Sequence, residues 1–253
     1  MSSFLLIAKA GGSGEAAENT CEAIQRCRAL RPPAGVDLAI EIDLRLTAES
    51  QLVAMHDACL DRTTDGRGLV RQREVQELRR LKAGASGERI PILGEVLEAA
   101  GDAPLLLDLH DNDMAVASAV CRELSCVRQQ RRDLTWVASE HGRIIRALRD
   151  LAPNLRTAAT KREAWGKLLL GWAGLGRWAP RGHVWILPEN HLGLAVVTPR
   201  FVERARAMGD GVWVFVVDDP ASFARLRDWG VAGCVTSHPG RLARATSLPA
   251  SSG

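Results

Sequence analysis

AIEIDLRLTAESQLVAMHD, residues 39–57, is an apolar run interrupted by carboxylates at alternate positions. Side chains two apart along a strand share a face, so Glu41 and Asp43 point the same way. Apolar residues surround both acids, which predicts a site where an apolar strand meets a polar mouth. A second apolar segment, Leu52 to Met55, then delivers His56. Two acids and a histidine brought together in this way suit a hard cation beside a proton-transfer group. The same residues also fit solvated strand-end carboxylates with a surface histidine.

Outward from this stretch, strand and helix alternate. Strands are expected at Phe4–Ala8, Leu38–Leu46, Pro104–His110, Leu134–Ser139, Leu155–Ala159, His183–Leu187, Val212–Val217 and Val231–Thr236. Helices are expected from near Asn19 or Thr20, both fair caps, to Leu30, from Pro91 to Ala100, from Met114 to Arg131, at Gly142–Leu151, after Ala159 to Trp178, and at Pro199–Met208 and Pro220–Trp229. A last short helix follows Pro239. Residues 57–90 are polar, carry the turn signal TTDGRG and a charged helix from Glu74 to Lys82, and read as a small insertion on a barrel rim. About eight strands with helices between them predict a (β/α)₈ TIM barrel, an α/β fold in one domain over residues 1–253. The tail 246–253 is expected to be disordered. An open doubly wound sheet is the structural alternative, but no GxGxxG follows a strand to support it. In a barrel the chemistry sits at the C-terminal strand ends, here Lys9, Glu41, Asp43, Asp108, His110, Ser139, Glu189 and Asp218.

A length of 253 residues suits one such barrel, with 46% hydrophobic and 25% charged residues describing a globular chain. A net charge of +3 without a basic run argues against nucleic acid as a partner. The six cysteines are scattered without paired ligand spacing and read as free thiols, which predicts a cytoplasmic location. MSSFLLIAKAGG reads as a first strand rather than a signal peptide, and no apolar run approaches the length of a membrane helix. Trp165, Trp172 and Trp178 fall on the apolar stretch after the fifth strand. They fit core positions, or a greasy lip on which Trp172 accepts an acyl chain or touches a membrane surface peripherally.

Five segments together carry a family resemblance: AGGSGEAAENTCEAI, EIDLRLTAESQLVAMHDACLDRTTDGRG, RIPILGEVLEAA, VWVFVVDDP and GVAGCVTSHP. In content and order they resemble the glycerophosphodiester phosphodiesterases, over nearly the whole chain. The resemblance implies a (β/α)₈ barrel with a small insertion and hydrolysis of phosphodiesters of the glycerol-3-phosphate type. It also implies a divalent cation, Mg²⁺ or Ca²⁺, on three carboxylates. Glu41 and Asp43 match the paired metal ligands, and Asp108 stands where a third, usually Glu, is found. His56 matches the second of two acid–base histidines, and Glu18 and Asn19 match an ENT motif at the phosphate end of the site. A cation neutralises charge on the phosphate oxygens, and a proton donor serves the leaving alkoxide.

The sequence also departs from the family. His-Arg-Gly at the end of the first strand is replaced by Lys9, Ala10 and Gly11, so the first histidine and the phosphate-binding arginine are absent. The lysine of Glu-x-Lys has become His110. Trp-Thr-Val-Asn has become Phe215, Val216, Val217 and Asp218, and the late Thr-Asp is Thr236 and Ser237. A histidine and a lysine have in effect exchanged strands. One expectation is that His56 and His110 share the acid–base work while Lys9 holds the phosphate. A second is that Lys9 loses its proton and acts as base or nucleophile. A third is that its ammonium pairs with Glu41 or Asp43 and fills the cation's place. The leading expectation is a metal-dependent hydrolase of small phosphodiesters, glycerophosphodiesters or lysophospholipids. The alternatives are a non-catalytic phosphoester or partner-binding member, and a scaffold recruited to different chemistry.

Overall fold

The computed structural model describes residues 4–85, 87–160, 162–163 and 184–245. The expected helical stretch after Ala159, with Trp172 and its two neighbouring tryptophans, lies outside those residues, and so does the tail. Among the described residues, eight parallel strands follow one another around the sheet. They are β1 (Phe4–Ala8), β2 (Val36–Leu46), β4 (Leu105–Leu109), β5 (Thr135–Ser139), β6 (Arg156–Thr157), β7 (Val184–Pro188), β10 (Gly211–Phe215) and β11 (Gly233–Thr236). The spatial order is β6-β5-β4-β2-β1-β11-β10-β7. A parallel bridge from Ala158 to Val184 joins the two ends, with the Ala159 N–H donating to the Val184 carbonyl at 2.8 Å. This is the TIM barrel that the alternation of strands and helices predicts. A short β3 (Leu52–Ala54) adds antiparallel to β2, and β8 (Asn190–His191) and β9 (Leu194–Ala195) form a separate hairpin.

Alternation along the strands builds two apolar layers at once. Ile40, Ile42, Leu44, Leu105, Leu107 and Leu109 face the helices and share a core with helix residues such as Ile24, Val96, Val116 and Ile144. The intervening residues face inward, where Ile7, Ala39, Leu106, Ala138, Trp213 and Val235 fill the barrel and Trp136 meets Trp213 edge-on at 5.4 Å. One step further along the same inward rows the residues turn polar: Lys9 follows Ile7, Glu41 follows Ala39, and Asp108 follows Leu106. The polar mouth therefore rests on an apolar floor.

Three helices differ from the sequence reading. Helix 93–100 starts after Pro91 rather than at it, because the Pro91 carbonyl accepts the Ala54 N–H at 2.8 Å and ties that residue to β3. The expected helix Met114–Arg131 is two, Met114–Ser125 and Gln129–Asp133. Buried Arg131 accounts for the break, since its guanidinium binds the carbonyls of Gly101, Ala103 and Leu134 at the foot of the barrel. Within residues 57–90 the helix shrinks to Val75–Leu78, because Lys82 and Ala83 turn back to bond Asp65 and Glu88. Leu60, Val70, Leu78 and Ile90 form a small core there with Val53 and Met55.

Candidate active site

The register of β2 on β4 sets Asp43 directly opposite Asp108, and Glu41 lies one inward position below Asp43. One ligand oxygen from each of Glu41, Asp43 and Asp108 lies within 4.8 Å of the others. Lys9 comes from the end of β1, His110 from just beyond β4, and His56 from the loop that leaves β3. These six side chains line one cavity of about 150 Å³, whose other wall is Leu106, Ile186, Phe215 and Val235. The sequence-based candidates on β1, β2 and β4 therefore converge. Ser139, Glu189 and Asp218 are committed elsewhere: Ser139 Oγ donates to the Leu109 carbonyl, Glu189 pairs with Arg225 at 2.6 Å, and Asp218 accepts from Thr236 and Ser237.

Each acid is held by a defined partner. The Ala10 N–H donates to Glu41 Oε2 at 2.5 Å from a backbone in the left-handed region, φ 47°. Asn19 grips Asp43 twice: its Nδ2 donates to Asp43 Oδ2 at 2.9 Å, and its Oδ1 accepts the Asp43 N–H at 3.0 Å. His110 Nε2 sits 2.6 Å from Asp43 Oδ1 and 3.8 Å from Asp108. The two imidazole rings, His56 and His110, face each other at 4.7 Å with a 57° tilt. Lys9 lines the same cavity as Glu41 and Asp43, and its charge acts on the Glu41 carboxyl.

Burial holds the Glu41 carboxyl well above the usual carboxylate range, and the charges of Asp43 and Asp108 push it the same way. Burial likewise raises Asp108. For Asp43 burial also acts upward, but hydrogen bonds from His110 and Asn19 outweigh it and leave the carboxyl below its ordinary range. Burial lowers His110, yet the Asp43 hydrogen bond and the Asp108 charge prevail and raise it overall. Crowded carboxylates, two of them driven toward the neutral form, make an arrangement that a divalent cation relieves, and their hard oxygens suit Mg²⁺ or Ca²⁺. The donor set thus fits the implied metal.

A chain of ionic contacts orients His56. Its Nδ1 is 2.7 Å from Asp57 Oδ1, and Asp57 Oδ2 accepts Arg62 Nε at 2.6 Å. Arg62 in turn forks onto both Glu18 oxygens at 2.8 Å each. The Arg62 contact is the main reason the Asp57 carboxyl lies far below its usual range. Arg45 fastens the same loops from beneath, donating to the His56 carbonyl at 2.9 Å and to Asp111 Oδ1 at 2.9 Å. The two residues of the ENT motif thus have protein partners: Asn19, 3% exposed, supports Asp43, and Glu18 supports Arg62. Sequence reasoning assigned no role to Arg45, Asp57 or Arg62. Arg45 continues the alternate-residue row of Glu41 and Asp43, and that was its only signal. Arg62 lies inside the DRTTDG turn, where composition alone reads as loop.

Comparison with known proteins gives a consistent picture. The sequence model of the Glycerophosphoryl diester phosphodiesterase family matches residues 10–241. The chain is 29% identical over 250 residues to the Glycerophosphodiester phosphodiesterase of Caldanaerobacter subterraneus subsp. tengcongensis, covering 94% of this chain and 96% of that one. It is 24% identical over 271 residues to Lysophospholipase D GDPD1 of Rattus norvegicus, covering 93% and 84% respectively. Among solved structures, an Oleispira antarctica phosphodiesterase in complex with its product sn-glycerol-3-phosphate superposes with a TM-score of 0.78 at 22% identity, over 97% of this chain and 98% of that chain. Its likeness shows the barrel, and the family match over most of the chain shows the lineage. The chain belongs to the glycerophosphoryl diester phosphodiesterase family.

Proposed function

We propose that this chain hydrolyses phosphodiesters of the glycerol-3-phosphate type at the mouth of the barrel. The observation that carries this reading is the convergence of three carboxylates, two imidazoles and one ammonium on a single cavity. The names of the relatives support it: a glycerophosphodiester phosphodiesterase, a lysophospholipase D, and a phosphodiesterase with glycerol 3-phosphate as product. Glu41, Asp43 and Asp108 would hold Mg²⁺ or Ca²⁺, which when bound neutralises charge on the phosphate oxygens. Lys9, the one ammonium among the described lining residues, anchors the phosphate as a point charge in place of a forked arginine. His56, held through Nδ1, is left with Nε2 to take a proton from the attacking water. His110, hydrogen-bonded to Asp43, delivers one to the leaving oxygen. Glu18 and Asn19 act as positioning residues for Arg62 and Asp43. The six free cysteines support a reducing compartment, which we take to be the cytoplasm. Among the described residues no helix is long and apolar enough to cross a membrane.

The test is release of glycerol 3-phosphate from glycerophosphocholine with Mg²⁺ or Ca²⁺ present. His110→Ala is expected to lower kcat by about 10²-fold or more, the scale of a lost acid or base. Undiminished turnover in that variant would remove His110 from the mechanism. The second reading, a phosphoester-binding member without turnover, is favoured by Lys9 and Ala10 standing where the family has His-Arg. Binding of glycerol 3-phosphate with no hydrolysis of any diester would establish it.

A further inference from the structure

Asp43 belongs to two sets of donor atoms at once. With Glu41 and Asp108 it forms the oxygen set. With His56 and His110 it forms a second set, in which one donor atom from each residue again lies within 4.8 Å of the others. The two sets differ in chemistry. Two of the three donors in the second are imidazole nitrogens, which suit Zn²⁺, whereas Mg²⁺ and Ca²⁺ take oxygen. The second imidazole is this chain's own: the resemblance implies a lysine at position 110, and an ammonium there would repel a cation that a histidine lone pair binds.

The geometry favours a small tetrahedral ion. His110 Nε2 lies 2.6 Å from Asp43 Oδ1, and the two rings stand 4.7 Å apart, tilted by 57° rather than stacked flat. Ligands about 2.1 Å from a tetrahedral ion lie about 3.4 Å from one another, so small side-chain rotations bring the three donors to it. An ion placed there replaces the proton that His110 and Asp43 share. His56 is already set for the role. Asp57 holds its Nδ1 at 2.7 Å and Arg62 holds Asp57, which leaves Nε2 as the open donor. A carboxylate on the far nitrogen is the usual support of a metal-bound histidine. The Asp43 side chain is 2% exposed, that of His110 19% and that of His56 43%, so the set runs from the buried floor to the open mouth. The cavity of about 150 Å³ leaves room for a water as fourth ligand.

We propose that Asp43, His56 and His110 form a second metal site, selective for Zn²⁺ over Mg²⁺ and Ca²⁺, and that zinc bound there switches hydrolysis off. The Nε2 atoms of His56 and His110 are the ones that carry protons in the reaction, and a zinc ion occupies both lone pairs. Zinc binding and proton transfer therefore exclude each other. The switch rests on the phosphodiesterase reading, whereas the site rests on the donor geometry alone, and the experiment separates the two.

Isothermal titration calorimetry of the full chain with Zn²⁺, and separately with Mg²⁺, reads binding without turnover. His110→Ala is expected to weaken zinc binding at least tenfold and magnesium binding less than threefold. His56→Gln is expected to do the same, and it serves as the second variant should circular dichroism show that the first does not fold. An equal loss for both ions would place them in one site and overturn the proposal. Unchanged zinc affinity in the folded variants, or no zinc binding by the wild type, would overturn it too. Co²⁺ substituted for zinc reports the ligands, and an intense thiolate charge-transfer band would put the ion on cysteine and reject the site. In the wild type with saturating Mg²⁺, zinc at a concentration that fills the site is expected to lower glycerophosphocholine turnover at least tenfold. Undiminished turnover would overturn the switch. Zinc held through both histidines in a chain that hydrolyses no diester would uphold the site and sink the hydrolase reading.

Discussion

Asp43 is the most heavily committed side chain in the mouth, and its partners explain the others. It touches His110 through one oxygen and Asn19 through the other, and it is 1% exposed. Asn19→Ala removes both bonds and leaves a buried carboxylate short of a donor, at a cost of about 1–3 kcal/mol. Thermal unfolding is expected to show that loss, and calorimetric cation affinity should weaken in parallel. The His56 side is set by longer reach. Arg62→Lys keeps the charge but loses the fork onto Glu18, so His56 is expected to lose its orientation, with kcat falling more than KM rises. Asp57 adds a pH signature. Its carboxyl is depressed in the folded chain, chiefly by Arg62, so its stabilising contribution is complete above the unfolded value. That contribution fades as pH falls below about 4, the ordinary carboxylate range. The Tm difference between wild type and Asp57→Asn is therefore expected to be constant near neutrality and to shrink on acidification. A difference that grew toward low pH would contradict the assignment.

At the scale of elements, β2 does two jobs at once. Its outward residues Ile40, Ile42 and Leu44 lock it beneath the helices, and its inward residues carry the acids. A loss of packing outside should thus be felt at the site inside. Ile42→Ala is expected to cost about 2–5 kcal/mol in unfolding free energy and to loosen the carboxylate set. Arg45 links β2 to both histidine-bearing loops, with its side chain and Asp111 only 16% and 17% exposed. Arg45→Met keeps the aliphatic stem and removes the fork. It should lower activity while the barrel stays folded, read by turnover beside circular dichroism. The period-2 pattern of β2 was legible in the chain, whereas the cap of the first helix was legible only as Asn19 or Thr20; Thr20 accepts the Ala23 N–H, and Asn19 is taken by Asp43. The break at Cys126 was not, because it follows from where buried Arg131 finds its carbonyls, and these come from residues near position 100.

For the whole molecule the barrel is unevenly closed. β1 and β2 pair over five residues, whereas β6 has only two residues and meets β7 through the Ala158–Val184 bridge. Few ladder bonds mean a low local opening free energy. Hydrogen exchange is expected to release the Ala158 and Ala159 amides well before those of Ile7 and Ile42. Uniform protection around the ring would show that the seam is as firm as the rest. The strong ladders hold the metal-type acids, and the seam lies on the opposite side of the order β6-β5-β4-β2-β1-β11-β10-β7. The rigid half of the barrel thus carries the charges that have to stay close together.

The amino-acid sequence by itself determined the alternation of strand and helix and the apolar run beneath a polar rim, and through its resemblance to the family it marked Glu41, Asp43, Asp108 and His56 as candidates. These follow from local periodicity and from a few short motifs, and neither depends on how distant segments meet. Only the tertiary structure decided that His110 bonds Asp43 and that Glu18 and Arg62 steady His56. Those contacts join residues many positions apart, and their partners are chosen by strand register and loop path. Both come from packing the complete barrel, so no local run of residues encodes them.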